Sequence, residues 1–207
     1  MRYPFRKTSA RLRLVPGQDP PFPVSATKAG MVGMRFFLAS LSVLFATSMI
    51  ACLMVAIQAG AWHSDAVPGL PSKLWTSTLF LLAVSVALEW GRQQIRQNRS
   101  QGLYWMLWLS IALAIGFLAN QTRVWLSLDN IRLPANARTL YAFSFAVLTG
   151  LHAVHVLGGF APLTVCLVRA SRERYSSFDY AGVTYCAMYW HFLDVAWLVI
   201  VTVLLLL

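Results

Sequence analysis

The sequence predicts an all-α integral membrane protein, a bundle of five transmembrane helices. Three observations predict it. Hydrophobic residues make up 58% of the 207-residue chain and charged residues 12%, about half the charged share of a soluble domain. The apolar residues gather into blocks long enough to cross a bilayer, which takes about 20 residues as a helix. The blocks are continuous and lack the alternation of barrel strands, and only helices or closed barrels satisfy their backbone groups in lipid. The net charge of +10 does not indicate nucleic acid, because Lys and Arg sit in the gaps between apolar blocks, where membrane topology places them.

Residues 1–33 form a Pro- and Arg-rich tail with Pro4, Pro16, Pro20, Pro21 and Pro23. Such a stretch is expected to be extended, lying along a partner or anionic headgroups or simply solvated. No secretory signal is expected, because the first apolar block is too long for a signal-peptide core. The first helix is predicted at about 34–58, and Phe36 to Gln58 carries no charge. The second, about 74–92, meets Glu89 near its end. Glu89 stands three residues before Arg92 and seven before Arg96, which predicts a local ion pair at the membrane boundary. The third, about 103–125, is uncharged until Arg123. Gln121 and Arg123 close it, with Trp125 as an interfacial anchor; they either hold a lipid phosphate or snorkel to the surface. The fourth, about 139–168, is long enough to span with tilt. The fifth, about 180–207, spans while carrying His191 and Asp194.

Orientation follows from the flanking cations. Arg2, Arg6, Lys7, Arg11, Arg13 and Lys28 precede the first helix. Arg92, Arg96 and Arg99 follow the second, and Arg169, Arg172 and Arg174 follow the fourth. The opposite face has Lys73, Arg123, Arg132 and Arg138. The rich face is expected to be cytoplasmic, which places the N-terminus inside and, after five spans, the C-terminus outside.

Two stretches hold the polar groups that matter. LTGLHAVHVLGG, Leu148 to Gly159, puts His152, His155 and Gly159 on one helix face. Its histidines read either as a haem or metal site or as a packed seam with imidazoles bonded across helices. YWHFLDVAWL, Tyr189 to Leu198, aligns Trp190, Asp194 and Trp197 in one stripe, with His191 three residues before Asp194. A carboxylate at this depth costs several kcal/mol unless neutral, paired or wet. Asp194 is therefore either a functional group or the acceptor of a structural bond from a neighbouring His or Trp. Cys52, Cys166 and Cys186 lie in apolar blocks and read as small buried hydrophobes. The chain has no phosphate-binding glycine loop, CxxC pair, CxxCH haem attachment or nucleophile elbow. It is poor in catalytic equipment and rich in packing surface, as a subunit would be.

These two stretches resemble the paired motifs LTGxHxxHVxxG and YWHFxDxxW of subunit III of the haem–copper oxidase superfamily, the cytochrome c and quinol oxidases. MRFFLASLSVLF, Met34 to Phe45, is similar to the family's first shared helix. GFLANQTRVW, Gly116 to Trp125, is similar to its GxxFLxxQxxEW stretch. The resemblance covers about residues 33–207 and fits the five-helix bacterial form. It implies an accessory subunit of the plasma membrane that binds no haem or copper. Those cofactors are expected in partner subunits, chiefly the catalytic subunit I, with other respiratory subunits and membrane phospholipid as further partners. His152, His155, Gly159, Trp190, His191, Asp194 and Trp197, with Gln121 and Arg123, would be structural and lipid-cleft residues. Two acidic residues of the family are replaced, by Leu41 and Val124, which puts the family's lipid and proton-uptake roles in question here. Competing readings are a subunit III-like protein of a nitric oxide reductase, a stand-alone haem b protein using His155 and His191, and a small transporter with Asp194 as proton relay.

Overall fold

The structure, a computed structural model, describes residues 24–59, 73–127, 135–177 and 179–206. Those residues hold five helices and no strand: α1 (Val24–Ala59), α2 (Lys73–Arg96), α3 (Ser100–Ser127), α4 (Ala135–Ser171) and α5 (Ala181–Leu206). Each contains a stretch long and apolar enough to cross a membrane. The chain is a multi-pass membrane protein.

Helix ends run past the apolar blocks because backbone bonding does not stop where lipid stops. The difference is largest at α1, which begins at Val24 where the sequence predicts about 34. Gly30 explains part of it. A side chain there would collide with the Tyr185 ring of α5, so glycine lets this extra N-terminal turn lie directly on α5. The tail over residues 1–23 lies outside the described residues.

Four helices close into a ring. α2 packs against α3 and α5, and α4 packs against the same two. α1 stands outside the ring on α5 and α4 and is the least covered of the five. Lipid gives little hydrophobic drive between helices, so close backbone approach and interhelical hydrogen bonds must hold them. Gly116 supplies one such approach: a methyl there would stand 2.9 Å from Phe80 of α2. Inside the ring, Phe117, Phe145, Leu148, Trp190 and Trp197 are buried.

The α2–α3 and α4–α5 turns share one geometry. Asn98 (φ 58°) and Glu173 (φ 52°) adopt the left-handed conformation. Asn98 N–H bonds Ile95 O and Arg99 N–H bonds Gln94 O; Glu173 N–H bonds Ala170 O and Arg174 N–H bonds Arg169 O. Both are Schellman endings, in which the left-handed residue recovers orphan carbonyls of the last turn. The two turns also touch, Ser177 N–H donating to Asn98 Oδ1 at 3.0 Å.

Candidate functional site

The motif residues of α4 and α5 meet inside the ring. His152 is fully buried, its ring centroid 5.1 Å from Trp197, 5.7 Å from Phe117 and 6.2 Å from Phe45 of α1. Neither ring nitrogen has a hydrogen-bond partner. The bond across helices that the sequence reading allowed is therefore not made at His152; aromatic faces surround it instead. His155 is half-buried. Its Nδ1–H donates to Leu151 O of its own helix at 2.7 Å, and its ring lies 5.0 Å from Phe45. Gly159 is the tightest α4–α5 approach of the motif: a methyl there would sit 2.9 Å from Trp190 Cζ2 and 3.1 Å from Tyr189 Cε1. Tyr189 O–H donates to His155 O at 2.7 Å.

Asp194 lies near the middle of α5 and is 6% exposed. Ser85 of α2 donates to its Oδ2. His191 Nδ1 lies 2.9 Å from the same serine oxygen. Since the serine proton points to the carboxylate, His191 donates through Nδ1–H. The partner of Asp194 is thus a serine, where the sequence reading looked for a His or Trp. A serine within an apolar helix carries no signal of its own, because it usually bonds back to its own helix. A cavity of about 400 Å³ between α2 and α5 opens beside this trio, lined by Ser85, Glu89, Gln93 and His191 among others. Glu89 and Arg92 form the predicted pair, with Arg92 Nη2 2.7 Å and Nε 2.9 Å from the carboxylate.

A second polar layer lies toward the end where α2 and α4 begin. Trp197 Nε1–H donates to Thr78 at 3.0 Å, and Trp125 Nε1–H to Thr149 at 2.9 Å. Asn120 Nδ2–H donates to Ser77 at 2.8 Å, and Ser77 to Gln121 Oε1 at 3.4 Å. Two expectations change here. Gln121 is fully buried and faces inward, so it does not share a phosphate with exposed Arg123. Trp125 bonds α4 instead of serving only as an interfacial anchor. Val124 and Leu41, where the resemblance leads one to expect acidic residues, are buried in the core and contribute packing.

A groove that the sequence did not reveal runs between α1, α4 and α5. Its volume is about 470 Å³, and Met34, Phe37, Val165, Tyr185 and Tyr189 form apolar walls with Arg169 at one end. Beside it a smaller pocket of about 280 Å³ gathers Arg169, Arg172 and Arg174. Among the described residues, no group of three or more His, Cys, Asp or Glu side chains is arranged to hold a metal ion.

Residues 24–206 match the family cytochrome c oxidase subunit III. The chain belongs to the cytochrome c oxidase subunit III family. It is similar to cytochrome c oxidase subunit 3 of the cyanobacterium Synechocystis, 32% identical over 82% of this chain and 72% of that one. It is similar to the protein of the same name from Thermostichus vulcanus, 28% identical over 84% of this chain and 85% of that one. It also matches the protein of that name from the moth Spodoptera frugiperda, 31% identical over 59% of this chain and 80% of that one. The match spans all five helices, so the resemblance first carried by two motifs extends over the whole bundle.

Proposed function

We propose that this chain is an accessory, non-redox subunit of a membrane terminal oxidase, where oxygen is reduced in partner chains that carry haem and copper. The observation that carries the reading is the family match over residues 24–206. The site supports it. His155 turns to Phe45 of α1 and His191 to Ser85 of α2, so the facing imidazole pair of a stand-alone haem b protein is not formed. Asp194 is held by Ser85 deep in the bundle, which disfavours a mobile proton relay. The relatives' shared name favours oxygen over nitric oxide as the substrate of the complex, and cytochrome c as its donor.

His152, His155, Gly159, Trp190, His191, Asp194 and Trp197 set the α4–α5 packing and its bonds to α2. Phospholipid would lie elsewhere, in the groove between α1, α4 and α5. Apolar walls suit an acyl chain, and three arginines beside the groove suit an anionic headgroup. Arg92, Arg96 and Arg99 share an end of the bundle with Arg169, Arg172 and Arg174 through the touching turns, which supports a cytoplasmic placement of that end. The N-terminus then lies in the cytoplasm of a bacterial cell and the C-terminus outside.

The test is purification of a tagged chain from membranes in mild detergent. Co-purification with a larger haem-bearing membrane subunit is expected. Recovery of the chain alone would overturn the proposal.

A further inference from the structure

The polar trio between α2 and α5 is a hydrogen-bonded chain with one closed end and one open end. Asp194, on α5, is 6% exposed and accepts a bond from Ser85 of α2 through Oδ2. Ser85 Oγ in turn lies 2.9 Å from His191 Nδ1. Among the described residues nothing bonds the other carboxylate oxygen, Oδ1, which is buried. The chain therefore stops at Asp194. Its opposite end is open, because Ser85 and His191 lie on the wall of the cavity of about 400 Å³, together with Glu89 and Gln93. A polar cavity of that size has room for roughly ten waters at about 30 Å³ each. With Nδ1 committed to Ser85, Nε2 is the ring nitrogen left for that water. The order of the residues also excludes an activated nucleophile. Ser85 stands between the other two, and the imidazole donates to it instead of withdrawing its proton.

We propose that this trio is a proton-storing site, in which Asp194 takes a proton from water in the cavity, and returns it, through His191 and Ser85. A hydronium ion gives its proton to His191 Nε2 and leaves as water. The proton on Nδ1 passes to Ser85 Oγ, and the proton already on that hydroxyl passes to Asp194 Oδ2. One proton enters and one arrives. The chain then points the other way, with Oδ2–H donating to Ser85 and Ser85 donating to Nδ1. Both arrangements fill the same two hydrogen bonds, so loading needs no movement of a helix. It also removes the charge from a carboxylate that is costly at this depth. The elements around the trio bring these other titratable groups. Glu89 on α2 is held by Arg92. On α4, His152 is enclosed by aromatic rings and His155 bonds Leu151 O. On α5, Tyr189 bonds His155 O. From α1 come exposed Arg35 and buried Cys52. Because the chain ends at Asp194, the site holds one proton and carries none across the bilayer. The exchange depends neither on the chain's partners nor on its orientation.

The experiment is infrared spectroscopy of the chain together with the subunits that purify with it. The protonated-carboxyl C=O band that disappears in Asp194→Asn belongs to Asp194; Asp194→Glu, which moves the band, assigns it if Asp194→Asn does not assemble. Perfusion with heavy water should shift that band in the wild type as fast as the buffer exchanges. Ser85→Ala and His191→Phe, which break the chain at its two links, should keep the band and slow its shift by about tenfold or more. Ser85→Thr keeps a hydroxyl and should exchange as the wild type does. The amide bands report whether each variant retains its helices. No Asp194 band at any pH that the protein tolerates, a wild-type band that heavy water leaves in place, wild-type exchange in Ser85→Ala or His191→Phe, or a Ser85→Thr rate no faster than that of Ser85→Ala would overturn the proposal.

Discussion

Replacing Gly159 by alanine tests the α4–α5 contact on which the bundle's motif half depends. The added methyl would lie 2.9 Å from Trp190 Cζ2, 3.1 Å from Trp190 Cε2 and 3.1 Å from Tyr189 Cε1. Carbon atoms prefer about 3.5–4.0 Å, so roughly half an ångström must be found. Trp190 has no room to give it, being fully buried and edge-on to Phe160. Tyr189 is pinned by its bond to His155 O. The helices must separate instead, and overpacking of this kind costs about 1–3 kcal/mol. Two internal controls exist. A methyl at Gly158 would meet only the Tyr189 hydroxyl, at 3.6 Å, and one at Gly150 would meet nothing within 4 Å. Both controls gain helix propensity of up to about 1 kcal/mol. Denaturation in dodecyl maltoside, followed by tryptophan fluorescence, should lower the midpoint for Gly159→Ala and hold or raise it for Gly150→Ala and Gly158→Ala. A Gly159→Ala midpoint equal to the controls would refute the reasoning.

Further expectations follow from the same packing. Asp194→Ala and Ser85→Ala should couple by about 1–2 kcal/mol in a double-mutant cycle of detergent stability, because each removes the same buried bond; additive losses would count against that bond. His152→Phe should change stability by less than about 1 kcal/mol, since neither ring nitrogen has a partner to lose, and the haem spectrum of the complex should not move. Glu173→Gly should raise the melting temperature, because a left-handed residue with a Cβ costs about 1–2 kcal/mol that glycine avoids. Asn98→Gly should not, since it deletes the bond to Ser177 N–H. A thermal scan of the two variants together decides this.

Much of the architecture was legible because lipid imposes simple rules. Five long apolar runs became five helices, and Glu89 found Arg92 as i,i+3 spacing allows. The stripe of Trp190, Asp194 and Trp197 indeed faces the interior. What stayed hidden depends on contacts between helices, which one helix's periodicity does not encode. Ser85 looks like any serine in an apolar run until α2 lies against α5. Gln121 and Trp125 sit where interface residues sit, yet inward rotation of α3 gives them Ser77 and Thr149. Gly30 shows the same at a helix end: its value lies in Tyr185, 155 positions along the chain.

The central claim is that this bundle serves an oxidase without holding its redox centres. Separating the chain from its complex and measuring bound iron and copper against protein tests that claim most directly. The account predicts no stoichiometric metal in the separated chain, with haem and copper remaining on the larger subunits. One iron or copper per chain, retained by the isolated bundle, would contradict it.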